Sequence, residues 1–379
     1  MNTIGTALAS ADKADPELVA DVVRAALERA GIGIARSVLL FLSTDFVHQA
    51  HAAVLAASRA AHCLQVTGCT APGVFTEEDW VLDRPAACAM VFGGGSGLAA
   101  HPEADAPLLS LAAPNAAGRS WLESGGQRYG LLSTDNSAHG AGRIWCHGKL
   151  AADGRCETAV AGARAAIGVS RGMRILGEAR AATCNGRDVL KVGSHPALNA
   201  LLHELPPEMR EMEKLPFHLL AAGIVSGNPE RAIEEGRYVL VPVIAANHEE
   251  RSVTLTLPPD DGDRVFWAMR QDLAAEDDMR RLVGELADRL GAAPDFGLLF
   301  SCLGRGPYFF GGEDRDLEAV KARFPGMPLI GAYGGGQIAP MFNGNQQIHN
   351  AAVLALFGAE AAAPSSGSRT TETKAGPRV

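Results

Sequence analysis

The feature that most restricts the fold is a pattern that occurs twice. Near the amino terminus "VLLFLST" is followed by a helical stretch, then by "VTGCTAPGVF" and "AACAMVFGG". Near the other end "GLLFSCL" is followed by "DRDLEAVKARFPG", "LIGAYGGGQI" and "AAVLALFGA", in the same order and at similar spacing. Short continuous apolar runs bounded by turn formers predict strands buried on both faces, and their alternation with helical periods predicts an α/β architecture. The repetition predicts two related α/β halves, a degenerate internal repeat whose equivalent loops meet at one cleft.

The remaining segments fill in this frame. "DPELVADVVRAALERAGIG" carries Leu18, Val22, Val23, Ala26 and Leu27 at helical spacing with a glycine after it, and "DFVHQAHAAVLAASRA" predicts a second helix. Between the halves, alternating apolar and polar residues with "CNG" and "DDGD" turns predict additional antiparallel strands, and "HPALNALLHELP" a short helix stopped by Pro206. From Ala359 onward the apolar period is lost, which predicts a disordered tail over 359–379. The division expected is one domain over 1–192 and a second over 193–358.

Composition limits the partners. A chain of 379 residues, 47% apolar and 20% charged, has room for roughly two cores. A net charge of -9 without any basic run argues against nucleic acid and anionic membranes as partners, because both need clustered Lys and Arg. The seven cysteines are an odd number without paired spacing, which suits reduced thiols in a cytoplasmic protein, most of them small core residues. No window approaches the roughly 18 apolar residues of a membrane helix, and the amino terminus lacks the basic and apolar regions of a secretion signal.

Three stretches could carry chemistry. In "FSCLGRG", Gly304 and Gly306 let backbone N–H groups approach a ligand, and Arg305 offers a planar fork to a carboxylate or phosphate. The same residues also suit a strand-to-helix turn whose arginine makes a salt bridge. Cys302 stands near the carboxyl end of its strand, where open α/β sheets place ligands. In "GAYGGGQIAPMFNGNQQIHN", Tyr333, Gln337, Asn345 and His349 gather around a glycine loop and could orient a small ligand. Gly68, Cys69 and Thr70 occupy the equivalent turn of the first half. A thiol enzyme using Cys302 or Cys69 would need a base or a positive environment, for which His349 and Arg305 are the available groups; inert buried cysteine is the alternative. His48 and His51 lie three apart on the second helix, but a zinc site needs at least one further ligand.

The ordered set "HPALNALLHELP", "FSCLGRG", "MPLIGAYGGGQIAP" and "IHNAAVLALF", with "LLFLST" and "VTGCTAPGV" in the first half, resembles the FIST sensory proteins over about 30–358. The resemblance implies a FIST N-type domain at 1–192 and a FIST C-type domain at 193–358, acting as an intracellular small-molecule sensor and not as an enzyme. It implies a ligand site drawn from Gly68, Cys69, Thr70, Cys302, Arg305, Tyr333, Gln337, Asn345 and His349. Family members often have Glu where this chain has Gln337, so a charge that would pair with a ligand amine is replaced by a dipole. No kinase, cyclase, methyl-accepting or F-box segment is recognised, so the output is expected to pass to a separate signalling protein such as a histidine kinase, with a homodimer as a further option. Some relatives bind haem and sense nitric oxide; His349 is the first candidate for an axial ligand here, followed by His48, His51 and His139.

Overall fold

The computed structural model describes residues 3–99, 103–134, 141–212 and 214–359. His139 and the tail expected beyond Ala359 lie outside these residues. The first unit comprises β1 (Thr3–Ser10), α1 (Pro16–Ala30), β2 (Ser37–Ser43), α2 (Ala50–Ala61), β3 (Val66–Ala71), β4 (Gly73–Thr76), β5 (Trp80–Leu82) and β6 (Ala86–Gly93). The ends of α1 are fixed chemically. The Asp15 carboxylate accepts the Glu17 N–H, Pro16 lies in the first turn, and Gly31 closes the helix at φ 67°. Its apolar stripe, Val19, Val22, Val23, Ala26 and Leu27, is buried against Val38, Leu40 and Leu42 of β2.

The chain continues through β7 (Gly97–Ala99), β8 (Leu108–Ala112), α3 (Arg119–Glu123), β9 (Arg128–Leu132), β10 (Ile144–Cys146), β11 (Lys149–Leu150) and β12 (Arg155–Ala161). Next come β13 (Arg164–Ser170), β14 (Met173–Asn185), β15 (Asp188–Val192), β16 (His195–Pro196), α4 (Ala197–Glu204), α5 (Pro207–Arg210), β17 (Leu220–Val225), α6 (Pro229–Glu234), β18 (Val239–Asn247), β19 (Ser252–Leu255) and β20 (Arg264–Arg270). The last segment holds α7 (Asp272–Leu290), β21 (Phe296–Cys302), α8 (Arg315–Arg323), β22 (Leu329–Gly334), β23 (Gly336–Met341), β24 (Gly344–Ile348) and β25 (Ala352–Gly358).

The expected repeat is visible in the strand order. The first sheet runs β1-β6-β2-β3-β10-β11 and the second β13-β25-β21-β22-β4-β5, so β1, β2, β3 and β6 correspond to β13, β21, β22 and β25. In each, one parallel pair (β2 with β3, β21 with β22) is joined by a crossover helix and flanked by an antiparallel strand. Each sheet buries both faces. Leu39, Phe41, Phe92, Phe296, Leu298 and Phe300 meet in a shared core, while α1 and α2 cover the other face of the first sheet and α7 and α8 that of the second. The inner layer is locked by edge-to-face rings, Phe41 with Phe300 at 6.0 Å and Phe92 with Phe296 at 5.4 Å.

The units exchange strands. β4, from the first repeat, pairs with β22 in the second sheet, whereas its counterpart β23 pairs with β9 in a third sheet of order β24-β23-β9-β8-β12-β7. The repeat is interrupted between β13 and α7 by a closed barrel, β14-β20-β17-β18-β19-β15, sealed by pairing of β14 with β15. Leu198 and Leu201 of α4 are buried with Leu176, Val189, Val241, Val253 and Trp267 in its core. The sequence division at 192 and 193 falls at the end of β15, just before β16, on this barrel sheet.

One expectation about the thiols is corrected. Cys146 on β10 and Cys156 on β12 form a disulfide with their Cα atoms 5.7 Å apart, tying the first sheet to the third; the other five cysteines are free. Cysteines ten residues apart on strands of different sheets have no pairing signature in the sequence.

The repeat also predicts which glycines are irreplaceable. A Cβ on Gly331 would stand 2.1 Å from the Leu299 carbonyl oxygen and 2.2 Å from the Phe75 ring, and one on the equivalent Gly68 would stand 1.7 Å from the Leu40 carbonyl oxygen. Gly284 in α7 has nothing within 4 Å. Gly331→Ala is therefore expected to cost about 3 kcal/mol or more in urea unfolding, whereas Gly284→Ala should stabilise by roughly 0.5–1 kcal/mol. Equal effects of the two changes would contradict this packing.

Candidate functional site

Arg305 lies inside the protein, not in an open turn: it is 1% exposed. Its Nε and Nη2 meet Asp316 Oδ2 and Oδ1 at 2.7 and 2.9 Å, Nη1 donates to the Ser170 carbonyl at 3.0 Å, and Nη2 also donates to Ser170 Oγ and the Ala275 carbonyl. The carboxylate that the glycine-flanked fork was expected to grip is thus the chain's own Asp316. This corrects the anion-binding role: the guanidinium welds the turn after β21 to β13, α7 and α8.

Tyr333 is also a structural group. It is fully buried, and its hydroxyl donates to Asp314 Oδ2 while Asp314 Oδ1 accepts the Leu317 N–H and caps α8. Burial, with Asp316 close by, pushes the Asp314 carboxyl up to about 6, against the Tyr333 hydroxyl and two backbone N–H groups. Gln337 on β23 is fully buried on the same sheet face as Leu131, with no hydrogen-bond partner for either amide atom among the described residues. Cys302 is buried at the end of β21, where its N–H donates to the Ala351 carbonyl at 3.0 Å.

In the first half, Gly68 gives β2 and β3 their close approach and Cys69 is buried in the inter-sheet core. Burial drives the Cys69 thiol far above its usual range, which removes it as a thiolate nucleophile at neutral pH. Thr70 is buried; its carbonyl accepts Ser133 Oγ at 2.6 Å, and its hydroxyl accepts the Arg143 N–H at 2.9 Å. The two homologous turns do approach each other: the Gly335 N–H donates to the Leu132 carbonyl, next to Ser133. They meet through β9, not across an open cavity. His48 and His51 are exposed at the start of α2, and no group of three or more potential metal ligands occurs among the described residues.

The structure opens elsewhere. A cleft of about 1210 Å³ lies between the outer face of the barrel, the β23–β24 hairpin and the segment around α3. Asn345 and His349 line it; the other seven residues expected in the site do not. Asn345 holds a wall in place: its Oδ1 accepts the Arg128 N–H at 2.7 Å, and its Nδ2 donates to the Leu122 and Gly126 carbonyls. His349 is exposed to the cleft, and its Nδ1 must donate to the Gly335 carbonyl at 2.9 Å because that oxygen can only accept. Neutral imidazole then leaves a lone pair on Nε2, which accepts the Gln347 side-chain N–H at 3.3 Å.

The barrel wall was missed in the sequence. β18 alternates Val241 and Val243 into the barrel core with Leu240, Pro242 and Ile244 outward into the cleft, so it is apolar on both faces. That doubled pattern, in "RYVLVPVIAAN", was the available signal. Arg171 and Arg270 sit at one end. Arg171 stacks on Tyr238 at 4.1 Å and donates to the Gly236 and Tyr238 carbonyls; Arg270 lies 4.8 Å over Phe309 and donates to the Gly304 carbonyl. Burial pulls both guanidinium pKa values down. The Asp278 carboxylate, which accepts the Arg171 backbone N–H at 2.8 Å, opposes that effect on Arg171.

Comparison with known proteins supports part of the resemblance. Residues 197–340, from α4 on the barrel to β23, match the FIST C domain family. An uncharacterized protein of Mycobacterium tuberculosis is 28% identical over 197 residues, 52% of this chain and 51% of the relative. An uncharacterized protein of Mycobacterium bovis is 28% identical over 190 residues, 50% of this chain and 49% of the relative. The aligned regions thus span about half the length of these relatives.

Two outcomes follow from the buried polar group. Arg305→Gln should destabilise by about 3–5 kcal/mol because it leaves Asp316 buried and unpaired, and Arg305→Met combined with Asp316→Leu should recover much of the loss. A single variant as stable as wild type in urea would contradict the assigned role. For Asp314, a folded pKa raised above the unfolded value means that its favourable contribution is complete at low pH and is lost as pH rises through about 6. The stability of wild type relative to Asp314→Asn should therefore fall as pH rises from about 4 to about 6 and level off above that, as read by thermal unfolding; a constant difference would place the ionisation elsewhere.

Proposed function

We propose that this chain is a FIST-type sensory protein that binds a small molecule in the cleft beside the barrel and passes its occupancy to a separate signalling partner, such as a histidine kinase. The FIST C match supports a sensory ligand-binding role. The observation that carries the reading is that three separately built walls, the barrel, the β23–β24 hairpin and the α3 segment, enclose one space of about 1210 Å³. A ligand touching all three binds one arrangement of them better than another, and only such differential binding shifts a population. The reading includes an amino-terminal FIST N-type half, a cytoplasmic location and a binding rather than catalytic role. In support of the last, the thiols of the cysteine-enzyme alternative, Cys69 and Cys302, are both buried outside the cleft lining.

A second reading, a haem-binding nitric oxide sensor, is favoured by one detail. His349 faces the cleft with Nδ1 committed to a backbone carbonyl and the lone pair on Nε2, the tautomer that an axial ligand requires once the Gln347 side chain that donates to it turns away. Haem would supply the gas-binding iron there.

Native mass spectrometry of freshly purified protein distinguishes these readings. A co-purified small molecule is expected on wild type and reduced on Leu240→Trp, whose indole intrudes into the cleft; equal occupancy in both would remove this wall of the cleft from the function. Added haemin should give a visible absorption band that His349→Ala abolishes if the second reading holds, and a protein that remains without such a band would end it.

A further inference from the structure

The third sheet ends at the cleft. β24 is its edge strand and is paired with β23 on one side only. Every residue from Asn343 to Ala351 lines the cleft. Successive side chains of a strand point to opposite faces of its sheet, so a space that touches all of them meets the strand at its edge and not on one face. Among the described residues the groups along this edge have no backbone partner beyond β23, which leaves a row of N–H and C=O groups turned into the cleft. On the barrel side, β17 and β20 are paired along both edges.

An open edge invites pairing, and the other repeat blunts its own. β5, the counterpart of β24 at the edge of the second sheet, is three residues long, with Val81 and Leu82 buried and the Tyr308 hydroxyl bonded to Asp83 at its end. β24 lacks the usual protections: Gly344–Ile348 holds no charge and no proline, and its ladder with β23 runs from Gln337 opposite Ile348 to Met341 opposite Gly344 without a bulge. The space beside it suits an elongated ligand. At about 1210 Å³ it exceeds the roughly 300–1,000 Å³ of most small-ligand pockets, and β24 offers five residues, about 17 Å, of edge. The barrel contributes Leu240, Pro242 and Ile244, and Ile244 and Leu257 are 49% and 58% exposed, large fractions for apolar side chains. From Met341 to Ala351 the hairpin has no carboxylate, ammonium or guanidinium.

We propose that the cleft binds a peptide in extended conformation, at least about five residues long, which adds to β24 as the outermost strand of the third sheet and lays apolar side chains toward Leu240, Pro242 and Ile244. The assignment rests on the cleft being the ligand site, as proposed above, and names the class of ligand.

A pool of end-capped random heptapeptides, passed over the immobilised full chain and read by mass spectrometry, tests it. Wild type should enrich peptides with uncharged, apolar residues at alternate positions, and Leu240→Trp, shown by thermal unfolding to be folded, should retain them at least about threefold less. The best peptide is then remade with methyl groups on alternate backbone nitrogens. Neighbouring N–H groups of a strand point to opposite edges, so one alternation removes the donors to β24 and should weaken binding about tenfold or more, while the other should change it less than about threefold. Hydrogen exchange of wild type over residues 344–348 should slow when the unmethylated peptide binds. Equal effects of the two alternations, or unchanged exchange over 344–348, would overturn strand addition. Enrichment of no peptide, with a non-peptide native mass adduct on wild type that Leu240→Trp reduces, would overturn the peptide assignment and leave the cleft reading intact. Enrichment of no peptide together with no adduct would overturn both.

Discussion

Everything in this molecule depends on two sheets pressing their apolar faces together. Phe41 against Phe300 and Phe92 against Phe296 fix the distance between the sheets, and Cys88 Sγ reaches the Gly331 carbonyl at 3.7 Å across the same interface. Since helices cover both outer faces, the central strands have no wet side. "SVLLFLS" and "FGLLFSC" are buried at every position, which is why they read as unbroken apolar runs. The exchange of β4 into the second sheet makes this contact obligatory, because the second sheet takes β4 and β5 from the first repeat.

Within that apolar frame the buried polar groups act as fasteners. Arg305 and Asp316 together reach Ser170 on β13, before the barrel insertion, and Ala275 on α7 and the turn after β21, both beyond it. A buried ion pair is weak evidence for net stability, since desolvation opposes the Coulomb gain. Its geometric effect is plain, however. With five hydrogen bonds from one guanidinium, only one placement of these segments satisfies the charge. Tyr333 with Asp314 performs the same service for the start of α8.

The fold was more legible in the sequence than the site. Strands buried on both faces leave a continuous apolar signature, and the aligned runs bring Gly68 and Gly331 to equivalent places, where the structure shows each glycine set close against the carbonyl of the neighbouring strand, Leu40 and Leu299. The same glycines misdirected the search for a site. "GCT", "GRG" and "YGGGQ" resemble ligand loops, yet they serve close backbone approach and buried polar contacts. Local sequence does not reveal whether an arginine faces solvent or an aspartate eleven residues later. Asn345 and His349, singled out beside the glycine loop, line the cleft because the chain there forms a hairpin at the edge of the third sheet. Arg171, Arg270 and the outer face of β18 were not, because the cleft exists only once the barrel has closed. Likewise the Cys146–Cys156 bond joins strands whose proximity depends on how the first and third sheets stack.

The barrel is spliced into the second repeat through two chain crossings, between Ser170 and Met173 and between Arg270 and Asp272. Met173 and Arg270 are partners in the β14–β20 ladder, so the two crossings run side by side. A body attached by a pair of adjacent strands has one soft mode, a swing about the line through its attachments, and the least displacement occurs on that line. Arg171 and Arg270 stand there. The chain thus carries two arginines at a pivot, where a small rotation moves them little yet translates into a large excursion at the far rim of the barrel.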